Sequence, residues 1–138
     1  MTSVLLDTGP IVALLDRSER YHVACRSAVA SIRDPLMTCE AVIAEACYLL
    51  RGLKGAPEAV IENVERGTFR IPFRMDASAR TLRSLMKRYA GVPMDLADGC
   101  LVALADELGT GRILTLDSDF RVYRWRRTRP FDLLIDLD

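Results

Sequence analysis

The chain has 138 residues, half of them apolar, and its 19 basic and 19 acidic side chains cancel. That length fits one domain, 1–138, which can bury roughly 68% of its unfolded surface and fold without covalent staples. The composition excludes a disordered chain and a strongly basic nucleic-acid wrapper, while leaving a local basic patch open.

In chain order, residues 3–6 read as a buried strand that closes at Asp7 and turns at Gly9-Pro10. Residues 11–15 continue as a short helix. Ser18 and Glu19 suit the start of the next helix, which carries Val23, Ala24, Ala28 and Ile32 towards a core until Pro35 breaks it. Residues 36–39 form a second strand, followed by a helix over 40–51. After Gly52 and Gly55, Pro57 suits the first turn of a helix that stops at Gly67. Residues 69–73 read as a strand. Asp76 caps a helix carrying Ala79, Leu82, Leu85 and Met86, and residues 91–93 loop to Asp95. Asp95 starts a helix that reaches Leu108 and is stopped by Gly109 and Gly111. Residues 113–116 are a strand, 117–119 a turn and 131–135 a last strand. Short apolar strands alternating with helices predict an α/β fold on a mainly parallel sheet.

No apolar run is long enough for a membrane span, and the start MTSVLLDTGP lacks the features of a signal peptide. A cytoplasmic setting is expected. Cys25, Cys39, Cys47 and Cys100 form no C-x-x-C pair and read as buried thiols. His22, the sole histidine, excludes any site with two histidine ligands and reads as a helix-surface residue.

Four acids interrupt apolar sequence. Asp7 closes Val4-Leu5-Leu6, Glu45 is the one polar residue in AVIAEACYLL, Asp98 precedes CLVALA, and Asp117 closes the strand at 113–116. Taken singly, each has an ordinary explanation. Asp7 and Asp117 suit turns, Glu45 suits solvent or an arginine, and Asp95 with Asp98 suits a helix start. Jointly they suggest more. In a parallel sheet, ligands bind beyond the carboxyl ends of the strands, where the N-terminal halves of the returning helices also lie. Two carboxylates about 5 Å apart repel by roughly 3 kcal/mol at an effective dielectric near 20, so such a cluster calls for protons or a cation. Oxygen-only ligands favour Mg2+ or Mn2+ over zinc, and such an ion suits phosphodiester hydrolysis.

The segments LLDTGPIVALLD, AVIAEACYLL, MDLADGCLVALADELG and ILTLDSDF, in this order, resemble the PIN-domain family, and within it the VapC-type toxins of toxin–antitoxin pairs. The resemblance implies a three-layer α/β/α sandwich and a Mg2+- or Mn2+-dependent endoribonuclease acting on RNA. It also implies a homodimer and a cognate antitoxin that occupies the active-site groove. Asp7, Glu45, Asp98 and Asp117 match the family's acidic quartet. In this reading Asp7, Asp98 and Asp117 hold the metal, and Glu45 binds it through water or orients the attacking water. Thr8 matches a hydroxyl position after the first acid. Asp95 and Asp119 fall where relatives sometimes carry extra acids. Thr115 and Ser118 can hydrogen-bond a carboxylate or phosphate, with strand and turn roles as the alternative.

Residues 121–129, RVYRWRRTR, interleave arginine with Tyr123 and Trp125. Arg121, Arg124, Arg126 and Arg127 are candidates for RNA phosphates, with the aromatics stacking on bases. The alternative is a terminal hairpin with Trp125 on the core and arginines paired to Asp132, Asp136 and Asp138.

Three other functions compete. Asp7-Thr8-Gly9 also resembles the loop of retroviral-type aspartic proteases, which demand an almost all-β chain. A non-catalytic Mg2+-binding α/β module and a PIN-type nuclease in RNA processing, outside any toxin pair, also remain.

Overall fold

Apolar runs that end in turn residues become very short strands in this protein, and the amphipathic stretches between them become helices. The structure, a computed structural model, describes residues 3–137, so Met1, Thr2 and Asp138 lie outside the described residues. Along the chain run β1 (Val4–Leu6), α1 (Thr8–Leu15), α2 (His22–Ser31), β2 (Leu36–Met37) and α3 (Glu40–Leu49). Next come α4 (Ala56–Glu65), β3 (Phe69–Arg70), α5 (Ala79–Arg88), α6 (Leu96–Leu108) and β4 (Arg112–Leu114). A 3-10 turn (Ser118–Arg121), β5 (Arg124–Trp125), β6 (Arg129–Pro130) and β7 (Asp132–Leu133) complete it.

The central sheet has the order β3-β2-β1-β4-β7, with every neighbouring pair parallel. β5 and β6 form a separate antiparallel hairpin. From β1 the chain moves outwards through β2 to β3, then crosses to the other side of β1 as β4. With right-handed crossovers, that reversal puts the helices before β3 on one face and α5 and α6 on the other, an α/β/α sandwich. The reversal between β1 and β4 is also the topological switch point, where the carboxyl ends diverge and open a crevice. The core is continuous around β1, β4 and α6, in which every residue from Ala97 to Ala105 is buried. No helix among the described residues is long and apolar enough to cross a membrane.

Several sequence expectations need correction. The strands expected at 36–39, 69–73, 113–116 and 131–135 shrink to two or three residues. Their last residues leave the ladder for other partners: the Thr38 hydroxyl donates to the Leu6 carbonyl at 2.7 Å. Helix α2 starts at His22, not near Ser18, because Asp16 Oδ1 accepts from both the Ser18 N–H and its hydroxyl and holds a turn there. The later start turns Val23, 73% exposed, and Ala24 to solvent and buries Cys25 instead. His22 is half-buried, its Nδ1 2.6 Å from the Ala13 carbonyl oxygen, so it ties α2 to α1. Asp76 does not cap α5 directly: its carboxylate takes the Ala77 N–H and Arg74, while α5 begins at Ala79, which is exposed along with Met86. Cys25, Cys39 and Cys100 are buried free thiols, and Cys47 is half-buried.

Trp125 fixes the hairpin against the sheet. Its indole N–H donates to the Pro130 carbonyl at 3.1 Å, and the ring lies directly over Gly111. A Cβ at Gly111 would stand 2.1 Å from Trp125 Nε1. Gly111→Ala is therefore expected to displace the indole and lower stability by about 3 kcal/mol. A urea midpoint equal to the parent's would show that the ring has room to move aside.

Candidate metal and nuclease site

Asp7 ends β1 and caps α1. Its Oδ1 accepts from the Thr8 N–H at 2.8 Å, and its Oδ2 accepts from the Thr115 hydroxyl at 2.7 Å. The side chain is buried, which pushes its pKa up to about 6, against the two hydrogen bonds and with help from the charges of Asp117 and Glu45. Asp98 stands in the first turn of α6, where Asp95 Oδ1 caps its N–H at 2.8 Å. Burial, then Asp95, Asp7 and Asp117, push Asp98 up to about 7, while a hydrogen bond from Tyr123 opposes the shift. Asp117 caps the 3-10 turn through the Asp119 N–H; burial, helped by the charges of Asp119 and Asp95, leaves its carboxyl raised, while that hydrogen bond opposes the shift. The Asp117 N–H in turn donates to Thr115 Oγ1 at 3.0 Å. One threonine hydroxyl thus couples the ends of β1 and β4.

Asp7, Asp98 and Asp117 line a single cavity of about 260 Å³ with Thr8, Glu45 and Asp95. Glu45 is exposed on α3, which packs against α6 beyond the sheet edge and so brings this carboxylate to the mouth. Asp95 serves both as cap and as wall. Asp119 is not on the cavity wall; its N–H is spent on Asp117, and its charge acts on Asp117 from outside. Gly9 lets α1 begin against β4: a Cβ there would stand 3.2 Å from Leu116 Cβ. Ser118 is exposed and makes no side-chain hydrogen bond among the described residues.

The residues present fit a hard dication. The cavity offers oxygen donors only, and its buried acids are held partly protonated by burial, helped by one another's charge, a state that a cation relieves. The Thr8 hydroxyl oxygen is buried without a hydrogen-bond partner, and Thr8 lines this cavity. No three acidic, histidine or cysteine side chains among the described residues are yet gathered tightly enough to enclose an ion. Mg2+ needs only one or two carboxylates directly and keeps several waters, so the looser ring suffices.

Tyr123 was expected to stack on bases, and the structure overturns that. It is fully buried, packed edge-on against Phe120 and Tyr89, and its hydroxyl donates to Asp98 Oδ2 at 3.1 Å. It is the site residue that sequence reasoning missed, because its aromatic, arginine-rich neighbours masked a core position. Trp125 is buried too, with Arg126 and Arg129 over its ring. The four candidate arginines divide. Arg121 donates to the Leu137 carbonyl, Arg126 to the Asp106 carbonyl, and Arg124 to the carbonyls of residues 121–123. Arg127 makes no side-chain hydrogen bond among the described residues. No arginine of the segment forms an ion pair with Asp132 or Asp136, and Asp138 lies outside the described residues.

A family model described as "PIN domain" matches residues 4–126. Ribonuclease VapC26 of Mycobacterium tuberculosis (strain ATCC 25618 / H37Rv) is 29% identical over 116 residues, 83% of this chain and 86% of that protein. The crystal structure of M. tuberculosis VapC20, titled a sarcin-ricin loop cleaving toxin, superposes with a TM-score of 0.79 at 21% identity, over 92% of this chain and 99% of that one. The likeness to VapC20 extends to the fold.

Proposed function

This chain belongs to the PIN-domain family, and we propose that it is a Mg2+- or Mn2+-dependent endoribonuclease, the toxin of a toxin–antitoxin pair. The observation that carries the reading is one cavity lined by acids from the ends of β1 and β4, from α3 and from the start of α6. The relative named a ribonuclease supports RNA as substrate. When bound, the ion neutralises phosphodiester charge and lowers the pKa of water.

Asp7, Asp98 and Asp117 would hold it. Thr115 orients Asp7, and Tyr123 orients Asp98, each through the carboxylate oxygen it touches. Glu45, exposed at the mouth, orients the attacking water and accepts its proton. Attack on phosphorus with departure of the 3′ oxygen leaves 3′-hydroxyl and 5′-phosphate ends. Residues 1–138 act as one domain, with the cytoplasm as its setting. The protein acts as a homodimer, and a cognate antitoxin covers the cleft.

EDTA is expected to abolish cleavage of RNA, and excess Mn2+ or Mg2+ to restore it. Cleavage that persists in EDTA would overturn the metal-dependent assignment.

A further inference from the structure

We propose that the pocket between α5 and the β5–β6 hairpin is a second phosphate-binding site, one that grips the RNA backbone away from the scissile bond. This rests on the ribonuclease reading above. The pocket measures about 310 Å³ and is lined by Arg80, Ser84, Arg88, Asp106, Arg124 and Arg127. It sets four guanidinium groups against one carboxylate. That carboxylate is already engaged, since Asp106 Oδ1 accepts from the Arg126 backbone N–H. None of the four arginines forms an ion pair among the described residues. Arg83 and Lys87 line an adjoining hollow with Arg80 and Ser84, extending the basic surface along α5.

The hairpin tip adds an independent observation. Arg126 and Arg127 both have left-handed backbones, φ 44° and 71°. Glycine or asparagine suits such positions, and another residue there costs about 1 kcal/mol. Arg126 has an internal use: its guanidinium reaches the Asp106 carbonyl beside Gly109, at the negative end of α6. Arg127 has none among the described residues, and it lines the pocket. A strained residue without internal partners points to an external one.

Phosphate suits these groups better than an acidic protein does. The residues that α5 gives to the two hollows are mainly polar or charged, and Leu85, the one large apolar side chain on the wall, is buried. Charge alone suffices for a nucleic-acid backbone, and guanidinium matches phosphate in bidentate fashion. The pocket is also wired to the metal cleft. Arg124 follows Tyr123, which holds Asp98, and the Arg124 N–H donates to the Tyr89 hydroxyl at 3.0 Å just beyond α5. Tyr123 and Arg124 are consecutive, so one backbone segment serves both the cleft and the pocket.

The test compares Asp7→Asn protein, which binds without turnover, with the same protein carrying Arg88→Gln and Arg127→Asn. Binding of a twelve-nucleotide single-stranded RNA is measured with Mg2+ from 50 to 200 mM salt. Loss of two phosphate contacts is expected to weaken binding at low salt and to flatten the slope of log affinity against log salt by about 1.4. Asparagine accepts the left-handed backbone at position 127, so the variant's unfolding midpoint is expected to match or exceed the parent's. An unchanged slope, in a protein that still cleaves RNA when residue 7 is aspartate, overturns the pocket alone. The same result with lost binding of poly-glutamate assigns the pocket to an acidic protein and likewise overturns it. If the aspartate form neither binds nor cleaves RNA, the ribonuclease reading falls and takes the pocket with it.

Discussion

Asp7→Asn is expected to reduce RNA cleavage by about 10³-fold and, with metal absent, to make the protein more stable than the parent. The loss follows from the site. Asp7 is the buried carboxylate at the switch point, and an amide there offers a hard dication no charge. If charge stabilisation through this ligand is worth about 4 kcal/mol, the rate falls a thousandfold. The gain in stability follows from burial. The folded chain holds Asp7 at about 6, above its ordinary value of 3.8, so folding favours the protonated form. The stabilisation this gives is fully present below pH 3.8 and is lost as the pH rises through 6. At pH 7.5 the ionised side chain therefore costs about 3 kcal/mol relative to one that never ionises. Asparagine keeps an acceptor for the Thr8 N–H and removes that cost. Thermal unfolding in EDTA, paired with a cleavage assay, reads both effects. A variant that cuts RNA as well as the parent, or that melts below it, contradicts this account of Asp7.

Affinity for Mn2+ is expected to rise by about 10³-fold between pH 5 and pH 8. Binding requires both Asp7 and Asp98 to be ionised. At pH 5, an acid with a pKa of about 6 is about one-tenth ionised, and one of about 7 about one-hundredth. Both are largely ionised at pH 8, so the two factors multiply. The metal-free protein should lose stability as the pH rises from about 4 through 7, because both carboxyls are raised by the fold and both must ionise within that range. Added Mn2+ should restore that stability above pH 7 far more than at pH 5. Calorimetric titration across the range checks this. A flat profile would mean that the raised carboxyls do not compete with the ion and that the ligands lie elsewhere.

The acids were legible in the sequence because each breaks an apolar run, and a charged residue inside a buried element needs a reason. Asp7 and Asp117 stood at strand ends and Asp98 at a helix start, positions that local pattern fixes well. The arginine segment was legible only as composition. Its five arginines look alike in the sequence, yet one caps a helix, one holds the chain end, and two face a pocket completed by Arg80 and Arg88 from α5. Tyr123 looked like an exposed aromatic and is a core residue that orients Asp98. Val23 looked like a core residue and is exposed, because the Asp16–Ser18 turn delays α2.

The order of strands and helices, the parallel sheet and the identity of the acids were set by the linear chain, since periodicity and turn residues act over a few neighbours. Which side chains share the cavity, that Thr115 bridges Asp7 to the Asp117 backbone, and that Tyr123 turns inwards were decided in three dimensions. Those contacts span 2, 25 and 108 residues. Two of the three join segments far apart in the sequence, and they form only when packing against α6 and β4 leaves one place for each side chain to go.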